Sequence, residues 1–287
     1  MKLRLVGCRA AKTEVAWCAL GRLASGQVAG IGVDPHMVVL TTARPAGAIT
    51  VLNPHATRAE FSVDLRFGFA TTDSAGRLRV ELSDGPDSAS AAGWIVPYPS
   101  QFTLRAGGTR TVRLLARPPE ALADGEYWAR ITVRARDDAQ VAFADTSQGM
   151  SAPVRIAMET ATVLPVFFRK GAVSTGVTIG AVEAIAAEHA IDVRATLTRN
   201  GNGAFIGVAR IVVRDSGGRD IATVDRHLAV YRSTQPRWMI PIPRGISLDG
   251  CSVAIQLSTD RHDVPRNLLL QARPVETLVT TTREGVP

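Results

Sequence analysis

The chain has 287 residues, of which 46% are hydrophobic and 21% charged, and a formal net charge of +7. This composition is typical of a globular protein and excludes a largely disordered chain. Its length suggests about two domains. The basic residues are spread along the chain without a dense run and aromatic residues are only 5%, so we expect no nucleic-acid-binding surface.

Residues 1–30 are interpreted as a leader or signal-like segment. Four basic residues lie within the first twelve, and a weakly apolar stretch with small residues follows. Glu14 and Arg22 interrupt that stretch, whereas a secretory signal normally has about 7–15 uninterrupted apolar residues. The sequence therefore leaves open whether this segment directs secretion. Elsewhere no segment approaches the roughly 18 apolar residues that span a membrane, so membrane insertion is not expected.

Residues 31–169 are predicted to form a first β-sandwich domain. Apolar and polar side chains alternate over residues 60–70, which is the period of a half-buried strand. The sequence Asp-Ser-Ala-Gly at residues 73–76 predicts a hairpin turn after that strand. Residues 136–152 are polar and predict a long loop, and residues 154–168 predict an unusually long strand.

Residues 170–287 are predicted to form a second domain of the same kind. Residues 191–197 alternate, and Asp-Ser-Gly-Gly at residues 215–218 predicts another hairpin turn. Residues 182–189 are a helix candidate because they are rich in alanine, and residues 268–271 are a candidate strand. Short strands separated by turns, without a βαβ pattern, favour an all-β fold of two immunoglobulin-like β-sandwich domains in tandem.

The sequence contains no motif that indicates an enzyme or a cofactor. The five histidines are scattered, and the three cysteines, Cys8, Cys18 and Cys251, match neither a metal-ligand spacing nor a disulfide framework. A serine nucleophile elbow and a phosphate-binding loop are both absent from the sequence. We therefore predict a non-enzymatic protein without metal or cofactor, and interpret Cys251 as a small buried residue.

Several short motifs, in this order, resemble the first domain of periplasmic pilus chaperones from chaperone–usher systems, closest in style to the archaic branch. They are Ile49–Asn53 (Ile-Thr-Val-Leu-Asn), Trp94–Pro97, Asp124–Tyr127 (Asp-Gly-Glu-Tyr) and Leu164–Lys170 (Leu-Pro-Val-Phe-Phe-Arg-Lys). The second half resembles the second domain of that family more loosely.

The resemblance implies a periplasmic chaperone that caps pilin-type subunits by donor-strand complementation and delivers them to an outer-membrane usher. A donor strand gives main-chain hydrogen bonds and a row of alternate side chains to its partner. By family position that row is Val154, Ile156, Met158 and Thr160. Arg155 and Glu159 face the other way, which indicates that one face of the strand is wet.

The resemblance also implies two charged features near the domain boundary. The first is an interdomain ionic cluster of Glu126, Arg169 and Asp260. The second is a basic anchor for the carboxylate at the C-terminus of a subunit. This chain departs from the family at the later anchor position, which falls on the uncharged Pro165. The candidates that remain for the anchor are Arg44, Arg130, Arg169 and Lys170.

Two alternatives remain open from the sequence. Residues 154–160 could be an ordinary core strand instead of a donor strand. The whole chain could be a two-domain β-sandwich that serves as a structural or adhesive surface protein. A chaperone would keep one strand edge of its first domain open until a partner arrives, and this feature separates the two functions.

Overall fold

The computed structural model describes residues 30–137 and 158–283, which form two β-sandwiches in tandem. Within these ranges the secondary structure is strands and one short 3-10 helix, Arg266–Leu268. The predicted all-β fold of two immunoglobulin-like sandwiches is confirmed. Val154 and Ile156, the first two residues of the predicted donor row, lie outside the described residues.

The first sandwich contains ten strands between residues 32 and 170. They are β1 (Gly32–Asp34), β2 (Val38–Thr41), β3 (Ala46–Leu52), β4 (Ala59–Thr72), β5 (Leu78–Ser83), β6 (Ile95–Tyr98), β7 (Gln101–Leu104), β8 (Thr109–Ala116), β9 (Gly125–Asp137) and β10 (Met158–Lys170). One sheet has the order β1-β3-β8-β6. The other has the order β2-β10-β9-β4-β5, with β7 paired to β4.

The core of the first sandwich follows from the alternation that the sequence displays. In β8, Val112, Leu114 and Ala116 are buried and the residues between them are exposed, because successive side chains of a strand point to opposite faces. The inward row of β10, Leu164, Val166 and Phe168, meets these residues in the same buried cluster. The two sheets are therefore held together by apolar side chains from both inner faces.

The second sandwich contains nine strands between residues 175 and 283. They are β11 (Thr175–Ala186), β12 (Ala190–Gly201), β13 (Phe205–Arg214), β14 (Asp220–Val230), β15 (Ser233–Thr234), β16 (Arg237–Pro241), β17 (Ser252–Ser258), β18 (Val275–Thr280) and β19 (Thr282–Arg283). One sheet has the order β15-β12-β11-β19, with β16 paired to β12, and the other has the order β14-β13-β17-β18. Cys251 lies buried in the core between them, as predicted.

Two predicted elements of the second half were wrong. The helix candidate at residues 182–189 is the end of β11, whose residues pair with β12 up to Ala186. A helix this short has a costly nucleus and few internal hydrogen bonds, whereas the neighbouring strand supplies a partner for each backbone group. Residues 268–271, expected to be a strand, begin at the last residue of the 3-10 helix Arg266–Leu268 and lie outside both sheets.

A third buried apolar cluster joins the two sandwiches. Its first-sandwich members include Trp128 and Phe167, and its second-sandwich members include Ile206 and Tyr231. The Tyr231 ring lies edge-on to Trp128, with centroids 4.9 Å apart, and is stacked on Phe167 at 6.1 Å. Fully burying one large apolar side chain stabilises by about 1.5–3 kcal/mol. The interface therefore resembles a small core between the domains.

Candidate functional site

Strand β10 has one edge that is covered only in part. On one side, β9 pairs with it along its whole length, from Met158 to Lys170. On the other side, β2 pairs in parallel with Val166–Arg169 only. From residue 158 to residue 165 this second side has no strand partner within the described ranges. We call this stretch the open edge, and such an edge is a template on which another chain can pair.

The register identifies which backbone groups face the open edge. The carbonyl of Arg169 accepts a hydrogen bond from the Thr42 N–H, 3.3 Å away, on the side of β2. The N–H and C=O of one residue point to the same side of a strand, and the side alternates along it. The N–H and C=O groups of Glu159, Ala161 and Val163 therefore face the open edge.

Pro165 fits this pattern. Its position has the same parity as Arg169, so its nitrogen faces away from β9 and no hydrogen bond of the β9–β10 ladder is lost. Proline is tolerated at such edge positions because the missing N–H faces outward. Pro165 occupies the position where a basic anchor residue was expected, and it is compatible with the edge of a strand.

The side chains of β10 divide into two rows. Thr160 and Thr162 are half-buried and continue the row of Leu164, Val166 and Phe168, which packs in the core. The hydroxyl of Thr162 donates to the carbonyl of Ile31, 3.4 Å away, across the gap between the sheets. Glu159, Ala161 and Val163 are exposed on the opposite face. Thr160 therefore lies in the row predicted to enter a partner, and Glu159 lies on the wet face. Met158 begins the strand.

The ionic cluster centres on Glu126, whose side chain is fully buried. Its Oε2 accepts a hydrogen bond from Arg169 Nε at 2.7 Å. Its Oε1 accepts from Trp128 Nε1 at 3.1 Å and from the backbone N–H of Ala204 at 2.9 Å. A buried carboxylate is strongly unfavourable unless it is paired and hydrogen-bonded. These three donors satisfy Glu126, and one of them comes from the second sandwich.

Asp260, the third predicted member, is not brought into this cluster. It is exposed, and its backbone N–H donates to the Ser258 hydroxyl at 3.4 Å. The second sandwich contributes the Ala204 amide in its place. A backbone N–H is present at almost every residue, so the sequence carries no signal for this contact.

Three of the four candidate anchors already have partners. Arg169 is paired with Glu126, and the Lys170 ammonium donates to the Leu122 carbonyl. Arg130 is buried, and its Nη2 donates to the Tyr231 hydroxyl at 3.1 Å while its guanidinium lies 5.3 Å from the ring centroid. Arg44 is exposed. Its guanidinium has no hydrogen bond or ion pair within the part of the chain that the structure describes.

Two residues of the cleft between the sandwiches were missed by sequence reasoning. Burial raises the pKa of Tyr231 to about 12, and its hydroxyl accepts a hydrogen bond from Arg130 Nη2 at 3.1 Å. Arg199 lies with its guanidinium 5.4 Å from the Trp128 ring centroid, and burial lowers its pKa. Arg199 lies in β12 and Tyr231 directly follows β14, and only the packing of one sandwich on the other brings them here.

The described residues contain no cluster of three or more His, Cys, Asp or Glu side chains arranged to hold a metal ion. Over the same residues, no helix has the length and apolar character required to traverse a bilayer.

Comparison with known proteins gives matches in structure only. A scan against family models finds none that matches, and neither does a search of curated proteins. Similar solved structures include the YadV chaperone, at 10% identity and TM-score 0.44, covering 88% of this chain and 100% of that one. The E. coli chaperone DraB matches at 16% identity and TM-score 0.41, covering 80% of this chain and 90% of that one.

A third match is the CsuC–CsuE chaperone–tip adhesion subunit pre-assembly complex from archaic chaperone-usher Csu pili of Acinetobacter baumannii. Its identity is 13% and its TM-score 0.42, with 89% of this chain and 99% of the matched chain covered. These structures are of the class that the sequence motifs resemble.

Proposed function

We propose that this protein is a non-enzymatic periplasmic chaperone that caps pilin-type subunits by donating strand β10 and then delivers them to an outer-membrane usher. The observation that carries the proposal is the open edge of β10 from residue 158 to residue 165. The other edge of the same strand is fully paired with β9. Residues 1–30 would serve as the leader for export.

The physical basis of the proposal is the addition of one strand to an incomplete sandwich. A subunit that lacks a strand exposes an apolar groove and unpaired backbone groups, which makes it prone to aggregate. The backbone groups of Glu159, Ala161 and Val163 would pair with the edge of the subunit. The row that runs through Met158 and Thr160 would enter its groove, preceded by Val154 and Ile156. No nucleotide or metal is required in this scheme.

Arg44 is the candidate that we favour for the carboxylate anchor. It follows β2, whose last residue, Thr41, pairs with Arg169 beyond the open edge of β10, and its side chain is exposed. Arg130 and Arg169 would first have to give up Tyr231 and Glu126, respectively. A guanidinium is well suited to bind a carboxylate through two hydrogen bonds.

The experiment that tests the proposal is co-purification with pilin-like proteins encoded near the gene. Ala161→Pro removes one N–H from the open edge and leaves the ladder with β9 intact, so we expect subunit capture to be lost while thermal stability is kept. Ala161→Ser is the matched control, because it changes the side chain and keeps the N–H. It should capture subunits as the parent does.

A second variant tests the side-chain row. Ile156→Asp combined with Met158→Asp places two charges where apolar groups would enter the groove, and we expect capture to be lost. If the parent captures no subunit, or capture survives both the proline and the two charges, β10 is not a donor strand. The surface-protein alternative would then be favoured.

A further inference from the structure

The chain contains the same hairpin turn twice, once in each sandwich. The first, Asp73-Ser-Ala-Gly-Arg77, connects β4 and β5, and the second, Asp215-Ser-Gly-Gly-Arg219, connects β13 and β14. In each turn the aspartate N–H donates to the arginine carbonyl at 2.9 Å, and the glycine N–H at the fourth position donates to the aspartate carbonyl at 2.9 Å. The two turns are therefore close copies in sequence and in backbone hydrogen bonding.

The aspartate side chains repeat the similarity. Asp73 Oδ1 accepts from the N–H groups of Ala75 and Arg77, both at 2.9 Å. Asp215 Oδ1 accepts from those of Gly217 and Arg219 at 3.0 and 2.9 Å. Glycine occupies a left-handed conformation in both turns, with φ of 74° at Gly76 and 80° at Gly218, which favours glycine over other residues.

The two turns differ in what they contact. The carbonyl of Gly76 accepts a hydrogen bond at 2.9 Å from the N–H of Arg237 in the second sandwich. Directly before the turn, at the end of β4, the Thr72 hydroxyl accepts hydrogen bonds from the N–H of Gln235 at 2.9 Å and from the Thr234 hydroxyl at 3.1 Å. The first turn thus binds the β15–β16 segment, whereas Gly218 is exposed.

The space around the two glycines differs accordingly. A Cβ added to Gly76 would lie 2.4 Å from Arg237 Cβ and 2.9 Å from its backbone nitrogen. These distances are too short unless the turn or the segment at Arg237 shifts. A Cβ added to Gly218 would meet nothing within 4 Å. Gly76 therefore meets a steric requirement of the docking, in addition to the conformational requirement that both turns share.

The segment that receives the hairpin is itself braced. Arg237 Nε donates to Asp192 Oδ1 at 2.8 Å, and Arg194 Nη2 donates to Asp192 Oδ2 at 2.9 Å. The Asp192 side chain is only 7% exposed. Nearby, Arg232 of the second sandwich pairs with Asp87 of the first and lies over the ring of Phe69 at 4.9 Å. The receiving segment is thus held to its own sandwich by Asp192, and Arg232 adds a second contact to the first sandwich.

We propose that the β4–β5 hairpin is a latch that fixes the angle between the two sandwiches. Strand β4 is continuous over 14 residues: its first part pairs with β9 in the sheet that carries the open edge, and its end reaches the second sandwich. The latch therefore couples the position of the second sandwich to that sheet. This inference holds whether or not β10 captures a subunit.

The two turns supply a matched pair of variants that test the latch. Gly76→Val and Gly218→Val impose the same strain on the same turn, and only the first obstructs the docked segment. We expect Gly76→Val to lower the exchange protection of the Arg237 amide by about tenfold or more. Gly218→Val should leave that protection within about twofold of the parent. X-ray scattering should give a larger radius of gyration for Gly76→Val alone.

A second variant leaves the turn unchanged. Thr72→Val removes the hydroxyl that accepts from Gln235 and keeps the side-chain shape, and it should lower the protection of the Gln235 amide without altering the fold. The latch is overturned if Gly76→Val and Gly218→Val give the same amide protection and the same radius of gyration. It is likewise overturned if Thr72→Val leaves the Gln235 amide as protected as in the parent.

Discussion

The turns at residues 73–77 and 215–219 have nearly the same sequence and the same internal hydrogen bonds, yet one lies against the other sandwich and one lies in solvent. Their shared aspartate, glycine and arginine explain the shared conformation. The difference arises outside the turn, from the segment that ends at Arg237. The comparison teaches that the sequence of a turn predicts its conformation, whereas the surface that the turn contacts determines its role.

Glu126 offers the largest expected effect, because its fully buried carboxylate bonds to both sandwiches. Glu126→Gln removes a buried negative charge and leaves Arg169, whose side chain is 13% exposed, without its ionic partner. We expect the free energy of unfolding to fall by about 3 kcal/mol. Chemical denaturation measures this change. Glu81→Gln, in an exposed pair with Arg79, is the control and should shift stability by less than about 0.5 kcal/mol.

Asp192, which holds Arg237 in the segment that receives the latch, is expected to have the second largest effect on stability. Asp192→Asn weakens the contacts to Arg194 and Arg237 and should lower the free energy of unfolding by about 2 kcal/mol. Burial raises the pKa of the Asp192 carboxyl, but hydrogen bonds from Arg237 and Arg194 outweigh that effect and hold the pKa below its ordinary value. The stabilisation is therefore fully present above the unfolded pKa of about 3.9 and is lost as the pH falls through the folded pKa.

The acid limb of a stability-against-pH curve checks this sign. Asp192→Asn should reduce the loss of stability below about pH 4, because one carboxylate that must be protonated is gone. A variant whose acid limb matches that of the parent would argue that Asp192 does not support the receiving segment. Asp263→Asn provides a comparison away from the latch, since Arg261 lowers the pKa of Asp263 to about 2.

A smaller effect on the melting temperature is expected to distinguish the two turns. Asp73→Ala and Asp215→Ala each remove an acceptor for two backbone N–H groups, so both should lower the melting temperature. Asp73→Ala should lower the melting temperature further, because the weakened turn also positions the Gly76 carbonyl that accepts from the Arg237 N–H. Differential scanning calorimetry compares the two variants. Equal shifts would mean that docking adds nothing to the stability of the first turn.

The smallest expected difference is in the titration of the two aspartates. The backbone N–H of Arg77 holds the pKa of Asp73 below its ordinary value, and that of Arg219 does the same for Asp215. Both carboxylates therefore stabilise the fold above the unfolded pKa, and this contribution is lost as the pH falls. NMR titration should give two similar, lowered values. An ordinary pKa at either residue would show that its turn is not formed in solution.

Much of the fold could be predicted from short-range patterns. The alternation at residues 60–70 and 191–197 predicted parts of β4 and β12, and the Asp-x-x-Gly sequences predicted both turns. These predictions succeed because side-chain alternation and turn conformation depend on neighbouring residues. The alanine-rich residues 182–189 misled because helix propensity is only a weak guide to structure and pairing with β12 overrides it.

The candidate site was predicted only in part. The family resemblance paired Glu126 with Arg169, and the structure brings these two together. It did not identify the Ala204 amide, the contact of Arg130 with Tyr231, or the docking of Gly76. Each of these joins residues far apart in the chain, and the acceptor or donor is often a backbone group with no signature in sequence.

By itself, the sequence determined that this chain forms strands with one apolar face and Asp-Gly turns between them, because those properties are set by residues a few positions apart. The tertiary structure alone decided that, among the described residues, the stretch 158–165 of β10 has a partner strand on one side only, since that depends on where β2 stops pairing. It also decided that one of two similar turns lies against Arg237. Which edges are covered and which turn is docked depend on the packing of complete sheets and domains. The sequence of a single segment does not determine that packing.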